Sequence, residues 1–91
     1  MKYVVLQHPQ RVAIVVAGCG PTHAQLAEPY VSQGYTARSA GFLRWIGGGR
    51  FACWGYSTSL KLFPHPDDPR LLQAWHQSLL SLAPATVPAE A

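Results

Sequence analysis

The chain has 91 residues, which is room for one domain and not for two separate hydrophobic cores. Charged residues make up 12% of it, about half the usual share of roughly 25%, so part of the surface has to be apolar or neutral. The formal net charge is +3, from seven cations spread along the chain against four acids, and so mild an excess does not by itself indicate a nucleic-acid-binding protein. Because contiguous apolar patches mark contacts with a partner, we expect self-association or another protein partner.

The N-terminus does not have the pattern of a secretion signal, because its apolar run is broken from Gln7 onward. No segment approaches the ~20 apolar residues of a membrane-spanning helix, so we expect a cytoplasmic protein without membrane contact. Cys19 and Cys53 lack the spacing of metal ligands, and we interpret them as small buried residues in a reducing compartment. A single disulfide between them stays open.

Two strands are predicted at the start of the chain, residues 3–7 and 11–17, because both are rich in β-branched side chains. Pro9 between them favours a tight turn. Residues 12–17 are apolar at every position, which predicts a central strand covered on both faces.

A short helix is predicted over residues 23–28. Thr22 and Gln25 before and within it fit a capping box, in which each side chain bonds to the backbone of the other residue. Pro29 is expected to end the helix, because the residue before a proline disfavours helical backbone angles. Residues 29–34 are then a loop, and residues 35–39 a further strand.

The turn before this helix allows two functional interpretations. An apolar strand, Gly18, Gly20 and a helix N-terminus follow the order of a nucleotide-binding loop, but His23 stands where the third glycine is required. Cys19 and His23 could form a thiol–imidazole pair, but no third group at a recognisable spacing orients it. We favour a turn with a helix cap, and anion binding at residues 18–23 stays open.

The most readable element is a hairpin of residues 42–46 and 50–54, joined by three glycines that suit a tight turn. With all three glycines in the loop, Ile46 faces Arg50, whereas a shift of one residue would put an arginine on each face. This register gives an inward face without arginine, made of Leu43, Trp45, Phe51 and Cys53. The other face carries Phe42, Arg44, Ile46, Arg50, Ala52 and Trp54.

A strand over residues 58–63 and a C-terminal helix complete the predicted elements. Asp68 is expected at the N-cap and Pro69 at the first helical position, where its missing N–H does no harm. The apolar stripe of this helix consists of Leu71, Leu72, Trp75, Leu79 and Leu82, with Gln73, His76 and Gln77 off it. We predict one domain over residues 1–82 and a disordered tail over residues 83–91.

Catalytic groups are scarce in this sequence. Of the four acids, Asp68 is explained by capping and Glu90 lies in the tail, so acid–base catalysis by a carboxylate pair has almost no candidates. The four histidines show no ligand spacing. We therefore expect no enzymatic activity, no catalytic residue, no metal site and no cofactor.

The tentative binding residues are Arg44, Arg50, Trp54 and Tyr56, on or just after the hairpin. Cations and aromatic side chains on a sheet are also what single-stranded nucleic-acid binders use for phosphate contact and base stacking. The weak net charge makes nucleic acid the alternative rather than the favoured partner, and an ordinary solvated face stays open.

Three segments form a recognisable pattern: residues 39–42 (SAGF), residues 53–60 (CWGYSTSL) and residues 66–68 (PDD). In this pattern the middle of the chain resembles a group of small uncharacterised bacterial and phage proteins. An arginine commonly follows the glycine in that group, and Tyr56 stands there instead. The resemblance covers about residues 39–80 and implies a phage or mobile-element origin, with no known chemistry.

We therefore predict an α+β fold, with a four- to five-stranded, mainly antiparallel sheet. A short helix accompanies it, and the C-terminal amphipathic helix packs on one face. The favoured function is a small non-enzymatic protein-binding module that forms a homodimer. The alternative is a single-stranded nucleic-acid binder that uses the arginine and aromatic face.

Overall fold

A computed structural model of the chain describes residues 1–18 and 20–86, with the backbone alone over residues 81–86. The described residues form four strands and two helices: β1 (Lys2–His8), β2 (Arg11–Ala17), α1 (His23–Val31), β3 (Thr36–Gly47), β4 (Arg50–Trp54) and α2 (Asp68–Thr86). All neighbouring strands are antiparallel, in the order β2-β1-β3-β4. The predicted α+β class is confirmed.

The two helices cover opposite faces of the sheet, and β1 lies at its centre. Val4 and Leu6 of β1 pack with Ala27 of α1, whereas Tyr3 and Val5 pack with Leu72 of α2. Successive side chains of a strand point to opposite faces, so the alternation in β1 separates the two clusters of the core.

The prediction that β2 is a central strand was wrong, since β2 forms one edge of the sheet. Both of its faces are nevertheless partly covered. Ile14 and Val16 pack with the α2-side cluster, and Ala13 and Val15 pack with the α1-side cluster. An apolar pattern indicates how the faces of a strand are covered, and it carries no information about the strand's neighbour at its edge.

Helix α1 begins at the predicted capping box. The Thr22 hydroxyl accepts a hydrogen bond from the Gln25 N–H at 3.1 Å, and the Gln25 side chain accepts one from the Thr22 N–H at 2.9 Å. The prediction that Pro29 ends the helix was wrong, because α1 continues to Val31. Beyond the proline the helical bonding resumes, with the Ser32 N–H donating to the Glu28 carbonyl at 3.0 Å.

The end of α1 is set by a glycine instead. The N–H of Tyr35 donates to the carbonyl of Tyr30, and the N–H of Gly34 donates to that of Val31, each at 3.1 Å. This is the bonding of a Schellman motif, in which the glycine takes a positive φ, here 97° at Gly34. The rings of Tyr30 and Tyr35 meet edge to face at 5.4 Å and supply the apolar contact typical of this motif.

The predicted register of the hairpin is confirmed where Trp45 pairs with Phe51. The predicted three-residue loop was wrong: Gly47 pairs with Arg50, and Ile46 lies at an irregularity between the paired residues. The turn is made by the two residues between Gly47 and Arg50, both glycines with positive φ. Of the predicted inward side chains, Leu43 and Phe51 are buried and Cys53 is half-buried.

Trp45 was also predicted to point inward and is 62% exposed. It shares a face with Phe51, but α2 packs on β4. Phe51 is therefore covered by Trp75 and His76, and Trp45 on β3 is not. His76 thereby belongs to the packed side of α2, contrary to the predicted stripe.

The chain between β4 and α2 does not form the predicted strand over residues 58–63. Ser57 and Leu62 make an isolated bridge, and the turn between them includes Lys61 with φ 58°. The strand predicted over residues 35–39 belongs, with residues 42–46, to the single long strand β3. The sheet of the described residues therefore has four strands.

Helix α2 begins one residue earlier than predicted, with Asp68 as its first residue. Asp68 was expected to cap the helix, but its carboxyl group points to the sheet and does not cap the N–H groups that follow. Leu72 is buried, as predicted, and Leu79 is exposed. The helix runs to Thr86, past the predicted domain end at residue 82. Residues 87–91 of the predicted tail lie outside the described residues.

Candidate functional site

Two of the four predicted binding residues lie together on the hairpin. Arg44 pairs with Ala52 across the strands and Phe42 pairs with Trp54, so Arg44 and Trp54 project from the same face. Both line one open depression. Arg50 lies at the other end of β4, about 13 Å from Trp54 along the strand, and is not part of this group.

Tyr56 belongs to an aromatic pair that sequence reasoning missed. Its ring centroid lies 4.5 Å from that of Phe63, and Tyr56 lines a depression beside α1 together with Phe42. The Phe42 ring lies 6.2 Å from the Trp54 ring. We call Phe42, Trp54, Tyr56 and Phe63 the aromatic strip. The solvent-exposed fractions of Trp54, Tyr56 and Phe63 are 50%, 38% and 67%.

Two glycines allow the chain to approach the strip closely. A Cβ on Gly55 would lie 2.6 Å from the Phe42 ring, and its φ of 90° is one that other residues rarely adopt. A Cβ on Gly41 would lie 2.7 Å both from Pro64 and from the carbonyl oxygen of Trp54. Because both positions lack a Cβ, β3, the end of β4 and the segment that follows can pack closely beneath the strip.

The electrostatic surroundings of the strip are positive. Lys2 Nζ lies 6.0 Å from the centroid of the Phe42 ring, within the range of a cation–π contact. At the other end, Arg44 lies beside Trp54 and is exposed. Among the described residues, no carboxylate lines either depression next to the strip. The strip is thus an aromatic surface between two cations.

Anion binding at residues 18–23, the alternative to a turn with a helix cap, gains no support from the contacts there. The N–H of Ala24 at the start of α1 already donates to the Ser59 hydroxyl at 3.0 Å. His23 is buried. Its Nε2 lies 2.8 Å from the carbonyl oxygen of Gly41, so this nitrogen carries a proton and donates. Cys19, and with it the thiol–imidazole pair and the disulfide, lies outside the described residues.

A buried polar network joins the start of α2 to the sheet. The Tyr3 hydroxyl donates to Asp68 Oδ2 at 2.6 Å, and the His65 N–H donates to the same oxygen at 2.8 Å. The Ser39 hydroxyl donates to Asp68 Oδ1 at 3.0 Å. We call these four residues the Asp68 network, of which Tyr3, Ser39 and Asp68 have at most 1% of their surface exposed.

Sequence reasoning missed the roles of Tyr3 and Ser39, because they lie 65 and 29 positions from Asp68. One signal was present, since Ser39 and Asp68 both belong to the three-segment pattern. Residues from the remaining segment also lie nearby, with Gly55 against Phe42 and Ser57 fully buried. The three segments therefore meet in one part of the fold.

The Asp68 network is closed to solvent and keeps the Tyr3 hydroxyl protonated. Burial raises the pKa of Tyr3 far above its usual value, and the hydrogen bond to Asp68 and the negative charge there raise it further. Burial also raises the pKa of the Cys53 thiol close by, which is the opposite of what activates a cysteine nucleophile. These shifts and the burial indicate a structural role for the network.

Metal sites and membrane-spanning helices are two further kinds of functional feature. No three histidine, cysteine, aspartate or glutamate side chains of the described residues are grouped as metal ligands would be. Neither described helix is long and apolar enough to cross a membrane.

Comparisons with family models, with curated proteins and with solved structures gave no match to this chain.

Proposed function

We propose that the protein is a small non-enzymatic protein-binding module and that the aromatic strip is its binding surface. The observation that carries the proposal is the exposure of adjacent rings, with half or more of Trp54 and Phe63 in solvent. Large apolar side chains that leave water on binding contribute most of the affinity of protein interfaces, and aromatic residues are enriched there. Phe42 and Tyr56 cover only part of these rings.

The charges beside the strip define the chemistry of the partner. Lys2 and Arg44 flank the rings, and the depressions around them are free of described carboxylates. A partner that places an apolar side chain on Trp54 and a carboxylate near Arg44 would gain burial and a charge-assisted hydrogen bond together. A short segment that combines apolar and acidic residues can make both contacts at once.

The described carboxylates support the non-enzymatic part of the proposal, because each has a place in the fold or in solvent. Asp67 forms a two-bond ion pair with Arg70, with the shorter bond at 2.7 Å. Asp68 accepts three hydrogen bonds in the core. Glu28 is exposed on α1. A phage or mobile-element origin and a cytoplasmic location stay predictions.

Self-association belongs to the same proposal. The low share of charged residues leaves apolar side chains on several surfaces besides the strip, among them Val12 on β2 and Trp45 on β3. A second copy of the chain is the partner that is always present at matching concentration. We therefore propose that the protein forms a homodimer.

A second candidate function is single-stranded nucleic-acid binding at the same strip. The specific observation in its favour is the position of Lys2 and Arg44 next to exposed rings on a sheet. Bases stack on such rings while cations contact the phosphates. Two cations are few for this purpose, and Arg50, which was predicted to contribute, lies apart from them, so nucleic acid ranks second.

The proposal is tested by selecting peptides from a displayed random library on the immobilised full chain. We expect the selected peptides to combine aromatic or aliphatic residues with Asp or Glu. Trp54→Ala should weaken their binding by about tenfold or more, as truncation of an interface tryptophan commonly does. Trp45→Ala is the matched control, because Trp45 is an exposed tryptophan of the same hairpin on the opposite face.

Equal binding by the Trp54→Ala variant and the unchanged protein would contradict the strip as a protein-binding surface. The alternative is measured with fluorescent oligo-dT and oligo-rU at two salt concentrations. Binding that weakens with salt and depends on Trp54 would establish nucleic acid in place of a peptide.

A further inference from the structure

One edge of the sheet, formed by β2, has few of the features that normally keep edge strands apart. Exposed edges pair with other strands, and proteins prevent this with charges, prolines, bulges or very short strands. β2 spans seven residues, and all seven pair with β1 in an unbroken register. After Arg11 at its start, it contains no charged residue and no proline.

The outward backbone groups of β2 can be identified from the hydrogen bonds of its neighbour. Met1 and Leu43 exchange backbone bonds, with the Leu43 N–H donating to the Met1 carbonyl at 2.9 Å and the Met1 amine to the Leu43 carbonyl at 3.4 Å. Because such pairs alternate along an antiparallel ladder, the odd residues of β1 bond to β3 and the even ones to β2.

The register of β1 with β2 then decides which groups are free. Even residues of β1 pair with odd residues of β2, from Lys2 with Ala17 to His8 with Arg11. The N–H and carbonyl groups of Val12, Ile14 and Val16 therefore point to the open edge. In the described part of the chain, no hydrogen bond outside the ladder involves residues 12–17.

We propose that this edge pairs with β2 of a second copy, antiparallel about a two-fold axis at Ile14, which joins two four-stranded sheets into one. The proposal makes the homodimer of the preceding section specific and does not depend on the aromatic strip. In this register Ile14 lies opposite Ile14 of the second copy, and Val12 lies opposite Val16. Every side-chain pair within residues 12–16 is then apolar.

Charge and side-chain pattern favour a second copy of this chain as the occupant. Antiparallel pairing places the two Arg11 residues at opposite ends of the joined strands, about 20 Å apart, so the two Arg11 charges do not face each other. Pairing also gives β2 a neighbour on both sides and satisfies its outward backbone groups. Its half-exposed side chains, Ala13 to Val16, would gain cover.

The other edge of the sheet shows why β2 is the better candidate. β4 has five residues, against seven in β2, and is followed directly by Gly55 with φ 90°. A shorter strand with a sharp turn at its end offers fewer backbone groups to a partner.

The test is the oligomeric state of the full chain by analytical ultracentrifugation. We expect a reversible dimer. Val12→Pro should raise its dissociation constant by about thirtyfold, because the two-fold axis makes one substitution remove two backbone bonds. The lost N–H points outward, so the β1–β2 ladder stays complete. Val12→Thr keeps this N–H and the β-branched shape, and should dimerise like the unchanged protein.

Amide exchange followed by nuclear magnetic resonance gives a second measurement that needs no variant. The N–H groups of Val12, Ile14 and Val16 should become slower to exchange as the protein concentration rises. A dimer that persists in Val12→Pro, with the amides of Ile14 and Val16 unprotected, would overturn the edge pairing alone. A monomer up to about 1 mM would overturn self-association as a whole, while peptide binding at Trp54 would be unaffected by either outcome.

Discussion

The Asp68 network buries a polar group, and the aromatic strip leaves apolar rings in solvent. Both depart from the usual distribution of polar and apolar groups. At Asp68 a carboxyl group is buried, and it accepts three hydrogen bonds from Tyr3, Ser39 and the His65 N–H. At the strip, large rings are left in water. Buried polar groups and exposed apolar patches are the two informative exceptions to the rule that apolar side chains lie inside.

The two exceptions differ in whether groups within the same domain satisfy them. Each bond to Asp68 comes from within the domain, so the fold accounts for the burial of this residue. Trp54 lies against Phe42 and Phe63 against Tyr56, but half or more of each side chain stays in solvent, and the described residues do not cover that part. A buried polar group whose hydrogen bonds come from within the domain serves stability. An apolar surface that the domain leaves exposed is a candidate for function.

The largest expected effect concerns the Asp68 network. Asp68→Ala leaves the Tyr3 and Ser39 hydroxyls and the His65 N–H without their acceptor, in a buried place. We expect a loss of about 3–5 kcal/mol in the free energy of unfolding, a large part of the ~5–15 kcal/mol of a typical domain. Urea denaturation followed by tryptophan fluorescence measures it.

The neighbouring acid is the matched control for this prediction. Asp67 pairs with Arg70 at the surface, where the Arg70 side chain is 70% exposed, and exposed ion pairs contribute little. Asp67→Ala should therefore leave the urea midpoint nearly unchanged. Equal losses in the two variants would mean that burial of Asp68 has no special weight.

A smaller effect, with a defined dependence on pH, is expected at Tyr3. Tyr3→Phe keeps the ring and removes one donor to Asp68, which should cost about 1–2 kcal/mol at pH 7. In the unchanged protein the folded state raises the pKa of Tyr3 above its ordinary value of about 10. Above that pH the unfolded chain loses the phenol proton while the folded chain keeps it, so stability falls as pH rises.

The slope of this alkaline loss separates the variant from the unchanged protein. Tyrosine at position 3 should add about 1.4 kcal/mol of lost stability per pH unit above pH 10, and Tyr3→Phe should lack this contribution. Cys53, whose pKa burial also raises, is present in both proteins. Identical slopes between pH 10 and 11 would show that the hydroxyl is not held as the structure describes.

The sequence predicts local features of this molecule well because neighbouring residues determine them. The capping box at Thr22 and Gln25 and the hairpin register at Trp45 and Phe51 both follow from residues within a few positions of each other. The pairing that puts Arg44 beside Trp54 on one face follows from that register.

The incorrect predictions concern contacts between distant parts of the chain. Asp68 fits a helix cap by its position before Pro69, and only the fold brings it to Tyr3. The position of β2 at the edge depends on β3 pairing with β1 on the other side. Phe63 reaches Tyr56 because the chain turns between Ser57 and Leu62. The alternating sequence of residues 58–63 had predicted a strand there instead. Side-chain pattern predicts burial, and long-range pairing decides which group is buried against which.

Among the three substitutions expected to lower stability, the smallest loss is expected for Trp54→Ala in the strip, although it removes the largest type of side chain. A fully buried aromatic residue costs about 3–5 kcal/mol to truncate. Trp54 already has 50% of its surface in solvent, and its ring contact with Phe42 has a centroid distance of 6.2 Å, so we expect a loss of about 1 kcal/mol. The same urea titration measures this, with Trp45→Ala as the reference for an exposed tryptophan.

The value of this measurement lies in its comparison with peptide binding. If Trp54→Ala abolishes binding of the selected peptides at little cost in stability, the side chain serves a partner and not the fold. A loss near that of Asp68→Ala would place Trp54 in the core instead. The exposure of the strip would then no longer distinguish it from the Asp68 network, and the case for a binding surface there would fail.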